Sequence, residues 1–188
     1  MPATINGTTG FGGNLTGNVT GNVAGNLTGV LLSGGSLTYA TSQASTSGTS
    51  IDFTGIPSWA RRVIIIFNAV GTSGLDLRIR LGAGSVQTSG YNSRSTSGTT
   101  GWNATSGSSN GFDFATNGAS QTIDGSVVLY NPAGNNWVAS GVLASSLPSI
   151  IFVAGFITVS GTLDRIRLTT VNGTDTFDAG SVNIAYEG

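Results

Sequence analysis

Eight carboxylates are the strongest acid–base groups in this sequence: Asp52, Asp76, Asp113, Asp124, Asp164, Asp175, Asp178 and Glu187. It has no histidine and no cysteine, so the usual general base, imidazole metal ligand and thiolate nucleophile have no bearer. All seven basic residues are arginine, and without lysine no Gly-Lys-Ser/Thr phosphate loop can be written. Paired carboxylates could still serve glycoside hydrolysis. The nearest pair is Asp175 and Asp178, in Asn172-Gly173-Thr174-Asp175-Thr176-Phe177-Asp178. An Asn-Gly turn completed by Asp175, with Asp178 capping or meeting an arginine, accounts for that pair without catalysis. Isolated aspartates lack EF-hand spacing, and neither a metal nor a cofactor is expected.

Binding chemistry has better candidates. Tyr91, Arg94 and Trp102 stand out from a segment, 83–111, made mostly of Ser, Gly, Thr and Asn. Aromatic rings stack on sugar rings and guanidinium groups read carboxylates or phosphates, so the three suit a glycan receptor. Trp102 could equally pack the segment onto its own domain. Loops longer than ~12–15 residues without regular structure are uncommon and usually functional or disordered, and 83–111 reads as such a loop. Trp59, Trp137 and Phe156 read as core or interface residues.

The elements that must position these groups are strands. Charged residues make up only 8%, against ~25% in ordinary domains, so Ser, Thr, Asn and Gly must solvate the surface. Thirty glycines penalise helices throughout. The net charge is −1 and the arginines are scattered, which argues against a nucleic-acid interface or a polybasic membrane contact. The N-terminus lacks the basic and apolar regions of a secretory signal, and the longest apolar runs are too short to span a bilayer as a helix.

Short apolar runs separated by Gly, Pro, Asn and Ser turn signals predict strands at 50–54, 62–70, 76–81, 112–115, 121–130, 136–143, 150–159, 162–171 and 176–186. This pattern is all-β, an antiparallel β-sandwich of jelly-roll type, occupying 49–188 as a head domain. Leu75, Leu77, Ile79 and Leu81 alternate with Asp76, Arg78 and Arg80, and Ile166 and Leu168 alternate with Arg165 and Arg167. The run Val63-Ile64-Ile65-Ile66-Phe67 is apolar on both faces and calls for cover on its outer side by a neighbouring subunit.

Ahead of the head, 1–32 carries a tetrapeptide repeat and 33–48 is a Ser/Gly-rich neck. From Gly13 the chain reads GNLT, GNVT, GNVA, GNLT. In an extended chain a period of four puts Leu15, Val19, Val23 and Leu27 on one face with the glycines between them. One strand cannot bury that row, whereas three copies around an axis can, so a trimeric stalk is expected. A flexible linker is the alternative reading of the repeat.

Two blocks add a resemblance. LDRIRLTTVNGTDTFDAGSVNIAYEG (163–188) and IDFTGIPSWARRVIIIFNAVGTSG (51–74) resemble the C-terminal domain of tail-fibre-type proteins of tailed phages, prophages and cyanophages. The GNLTGNVTGNVAG tract is similar to repeats in such fibres. The resemblance implies a non-enzymatic homotrimeric subunit of the virion, docked through its N-terminus on another virion protein, with a β-sandwich tip. A tail fibre for host adsorption leads; a head fibre or capsid decoration protein, or a glycan-cleaving tip, are the alternatives.

Overall fold

In the computed structural model, residues 37–74, 76–98, 106–114, 119 and 121–188 are described. The expectations for Leu15, Val19, Val23, Leu27 and Trp102, and for the stalk as a whole, lie outside these residues. Within them the chain is all-β. Its strands in order are β1 (Thr38–Tyr39), β2 (Gln43–Ala44), β3 (Ser50–Thr54), β4 (Arg62–Thr72), β5 (Leu77–Ala83), β6 (Ser85–Val86) and β7 (Asn92–Gly98). There follow β8 (Ser106–Ser108), β9 (Phe112–Phe114), β10 (Thr122–Tyr130), β11 (Asn136–Ser145), β12 (Ser149–Thr158), β13 (Arg165–Thr170) and β14 (Phe177–Glu187).

These form two antiparallel sheets in a sandwich-like arrangement. The larger runs β1-β14-β4-β10-β11-β12-β7-β8, with β2 also on β14; the smaller runs β3-β13-β5-β6, with β9 also on β5. Strand alternation supplies the shared core. Val63, Ile65 and Phe67 of β4 point inward from the large sheet, as do Ile51 and Phe53 of β3 from the small one, all at 5% exposure or less. Phe67 meets Phe114 edge-on across the gap, with ring centroids 5.7 Å apart. Such T-shaped pairs add about 0.5–1.5 kcal/mol beyond the area they bury.

Turns follow their residues. At the β13–β14 connection Asn172 Oδ1 accepts the N–H groups of Thr174 and Asp175 at 3.0 and 3.1 Å, and Gly173 takes a φ of 74°. This is the expected Asn-Gly turn, with Asp175 inside it. At the β10–β11 connection Asn131 Nδ2 donates to the carbonyls of Gly134 and Asn136, both at 2.8 Å.

Four features differ from expectation. The segment 83–111 is not a long loop, because it contains β6, β7 and β8, and β7 pairs along its length with β12. Its inward residues are Ser93, Ser95 and Ser97, each 3% exposed or less, so a period-two pattern is present but written in hydroxyls. Within 33–48, β1 and β2 add to β14, so this part of the neck belongs to the large sheet. Asp76 is not a strand residue: it sits at a φ of 49°, and its carbonyl accepts the N–H of Val171 at 2.9 Å.

The last difference is a set of bulges where β4, β10 and β14 meet. The register of β14 on β4 shifts on either side of Ala179, and that of β10 on β4 shifts between Ile123 and Gly125. Ala69 is forced to a φ of 50°, and its N–H is satisfied by Asp124 Oδ1 at 2.7 Å. Bulges bend and twist a strand locally, and here they occur at one end of the longest strand pair.

Candidate functional site

The two outer faces of the head differ in chemistry. On the small sheet the outward residues of β3, β13, β5 and β9 are charged and paired across strands. Arg167 donates to both oxygens of Asp52 at 2.7 Å, and Arg78 to both oxygens of Asp113 at 2.6 and 2.8 Å. Its hydrogen bonds to the Asp52 carboxylate raise the Arg167 pKa above its ordinary value. Burial first, and then repulsion from Arg78, lowers that of Arg80. At the rim, the hydrogen bond from Arg165 is the largest influence holding the Asp164 carboxyl below its ordinary value, and Asp164 also accepts the Gly84 N–H at 3.0 Å. Arg78, Arg165 and Arg167 thus meet carboxylates on this face, while Arg80 donates to the Asn110 carbonyl at 2.8 Å.

The outer face of the large sheet has the opposite character. Its central strands present Val138, Val142, Phe152 and Phe156 to solvent, 39–53% exposed. Ile64 and Ile66 of β4 lie half-buried on the same side, so the strand read as apolar on both faces does present aliphatic side chains outward. No charged residue occurs between Asp124 and Asp164. Apolar surface is normal when scattered, but a contiguous patch of this kind marks an interaction surface.

Of the three candidate binding residues, Tyr91 and Arg94 both line an open cleft with Asn92, Gly107, Ser108 and Ser109, but they differ in exposure. Tyr91 is 5% exposed, its ring edge-on to Phe112 at 5.2 Å. Its hydroxyl accepts the Leu81 N–H at 2.8 Å and lies 3.0 Å from the Gln87 carbonyl, which it can donate to. Tyr91 therefore ties β5 to the start of β7, and its ring has no face free for a sugar. Arg94 is exposed on the outer face of the large sheet. Its guanidinium donates to the Ser93 carbonyl at 2.8 Å and lies over Gly107, where a Cβ would come within 2.6 Å of Nη1. It borders a shallow groove with Thr96, Ser140, Val142, Phe152 and Ala154. Sequence reasoning missed these groove partners: the strands of Ser140, Val142, Phe152 and Ala154 were expected but not which of their faces would be left uncovered, and β7, which carries Thr96, was read as loop.

A second cleft, of about 260 Å³, lies between Pro57, Arg61, Asn131, Asn135 and Trp137. Arg61 is held there by Asn131 at 2.6 Å. Among the described residues no group of three or more Asp or Glu side chains converges to hold a metal ion. Asp175 is engaged in the turn, and Asp178 lies over Gly71, where its Oδ1 would be 2.8 Å from an added Cβ.

The environment of Tyr91 makes a pH prediction. Burial pushes its phenol up to about 12 from an ordinary 10, partly offset by the Leu81 hydrogen bond and the fields of Arg80 and Arg78. The folded state thus favours the neutral phenol. That contribution is complete below pH ~10 and is lost as pH rises from ~10 towards ~12. Tyr91→Phe removes the titration but leaves the Leu81 N–H without its partner, at a cost of about 1–3 kcal/mol at neutral pH. Urea midpoints of the two proteins are expected to converge between pH ~8 and pH ~12. A constant gap would show that the phenol does not report on folding.

No family model matches the chain, and no curated protein and no solved structure matches it either.

Proposed function

We propose that the chain is a structural fibre subunit of a tailed-phage virion. In this reading it assembles as a homotrimer, with its N-terminus on another virion protein and its jelly-roll-like head at the host surface as part of a tail fibre. The observation that carries this reading is the division of the head into a charged face and a face whose central strands β11 and β12 are apolar and carry no charge. A head that buries one face against copies of itself and shows the other to water suits the composition found here, with only 8% charge. The period-four apolar row at Leu15, Val19, Val23 and Leu27 supports the same assembly, since three chains supply the partner that one chain lacks. Arg94, on β7 towards the β8 edge of the large sheet, is the one of the candidate residues placed to meet an anionic host glycan beyond such a contact.

The test is location. Gold-labelled antibody raised against the head is expected to decorate the distal tail of purified virions. Label on the capsid would transfer the chain to the head-fibre and decoration class, and virions without label would overturn the reading.

A further inference from the structure

We propose that Asn110-Gly111, in the β8–β9 connection, is a site of spontaneous chain modification, at which Arg80 promotes loss of the side-chain ammonia and then holds the carboxylate that results. The inference is independent of the virion reading.

Asn-Gly pairs occur in the sequence at 6–7, 110–111, 117–118 and 172–173, and those at 110–111 and 172–173 are among the described residues. The chemistry is common to any such pair. The glycine nitrogen attacks Cγ of the asparagine, its proton departs with the side-chain nitrogen as ammonia, and a cyclic imide is left. Water then opens the imide at Cγ, giving aspartate, or at the main-chain carbonyl carbon, giving isoaspartate. Closure needs a side-chain amide free to turn and a glycine nitrogen that can lose its proton.

The two pairs are held differently. Asn172 Oδ1 accepts the N–H groups of Thr174 and Asp175 and lies 3.2 Å from Thr170 Oγ1, so ring closure there would break its turn. Asn110 is exposed, and its side-chain amide meets only Ser109 Oγ, at 3.4 Å, among the described residues. Its main chain is fixed instead: its N–H donates to Ser108 Oγ at 3.2 Å, and the Ser109 carbonyl accepts the Tyr91 N–H at 3.1 Å. Among the described residues no backbone acceptor takes the Gly111 N–H. A Cβ at 111 would meet Arg78 Cγ at 2.5 Å and the Ile79 carbonyl oxygen at 2.9 Å, so packing demands glycine and no side chain shields the nitrogen.

Arg80 supplies the activation. Its Nε donates to the Asn110 carbonyl oxygen at 2.8 Å, and that oxygen belongs to the same peptide unit as the attacking nitrogen. Loss of the Gly111 N–H proton spreads negative charge onto the oxygen, where the guanidinium stabilises it as oxyanion-hole donors do. Among the described residues the ion pairs of this sheet are made by Arg78, Arg165 and Arg167, so no carboxylate competes for Arg80. When water opens the imide at the main-chain carbon, the same oxygen becomes part of the isoaspartyl α-carboxylate, already in contact with Arg80. The main chain between β8 and β9 is then longer by a methylene and carries an added negative charge.

The experiment ages the full chain in mildly alkaline buffer, folded and in urea, and follows amide-to-acid conversion at each asparagine by fragmentation mass spectrometry. The urea sample gives each pair its own rate without the fold. At Asn172 folding is expected to slow conversion at least about tenfold, because hydrogen bonds to Oδ1 must break first. At Asn110 the folded rate is expected to equal or exceed the rate in urea. Arg80→Gln is expected to slow Asn110 at least about tenfold in the folded chain and to leave Asn172 unchanged.

A folded rate at Asn110 below its rate in urea would overturn the site. Undiminished conversion in folded Arg80→Gln would remove the part given to Arg80, and the proposal with it. Should Arg80→Gln fail to fold, its Asn172 rate rises to the urea value, and the two wild-type rates at Asn110 decide the question alone.

Discussion

Asp113→Ala is expected to cost about 3–5 kcal/mol of folding stability, since removing one partner of a buried ion pair leaves the other charge uncompensated. The side chains of Arg78 and Asp113 are 8% and 15% exposed. Arg78 also donates to the Val171 carbonyl at 3.2 Å, and its stem lies against Gly111, where a Cβ would meet Cγ at 2.5 Å. The guanidinium is therefore fixed from several directions and cannot turn out to water when its carboxylate is lost. The control is Asp52→Ala on the same face. Its pair with Arg167 is more open, 38% and 37% exposed, so screening and side-chain entropy reduce its worth to about 0–1 kcal/mol. Urea unfolding of the two variants measures the contrast, and equal losses would show that burial is not what makes the first pair matter.

Gly180→Ala is expected to cost about 2–5 kcal/mol for two separable reasons. Gly180 has a φ of 83°, where a side chain is strained by about 1 kcal/mol. An added Cβ would also sit 2.2 Å from the Ala69 carbonyl oxygen and 2.4 Å from that of Asn68, which are backbone atoms that cannot swing aside. Overpacking of this kind adds about 1–3 kcal/mol, occasionally more. Gly134 isolates the first cause: its φ is 56°, with nothing within 4 Å of an added Cβ. Gly134→Ala should thus lose only about 1 kcal/mol. Thermal unfolding of both variants separates dihedral strain from collision, and similar melting temperatures would mean the bulge opens freely.

Gly180 also marks where the sequence stopped being legible. Strands with apolar alternation were readable: 50–54 matches β3 at both ends, and 62–70 begins where β4 does. Arg165 and Arg167 were readable as outward, because Ile166 and Leu168 alternate with them, and both arginines meet carboxylates. The strand at 92–98 was not readable, since Ser93, Ser95 and Ser97 carry the period without the hydrophobicity that reveals it. The burial of Tyr91 was hidden for the same reason. An aromatic among serines looks like a contact residue, until β7 turns out to be a core strand and Phe112 its neighbour. The bulges at Ala69 and Gly180 are long-range features, and nothing local to residues 68–71 announces that the partner strand carries an extra residue. The apolar outer face was visible at Ile64 and Ile66, and at Phe156 only as a residue of core or interface. At Val142 and Phe152 it depends on two strands lying in register, which no single strand contains.

The order of strands in the large sheet sets a timetable for the growing chain. β4 pairs on one side with β14, from Arg62↔Glu187 to Thr72↔Phe177, so each residue meets that neighbour only about 105–125 positions later. At ~5–20 residues per second, translation leaves that edge of β4 open for roughly 5–25 s. β13 enters the small sheet late as well, between β3 and β5. Neither sheet can therefore close until the last quarter of the chain has been made, and Val63 to Phe67 waits as an unpaired aliphatic edge. Nascent chains of this protein are most exposed to misassembly with one another during that interval, and slower synthesis late in the message lengthens the exposure.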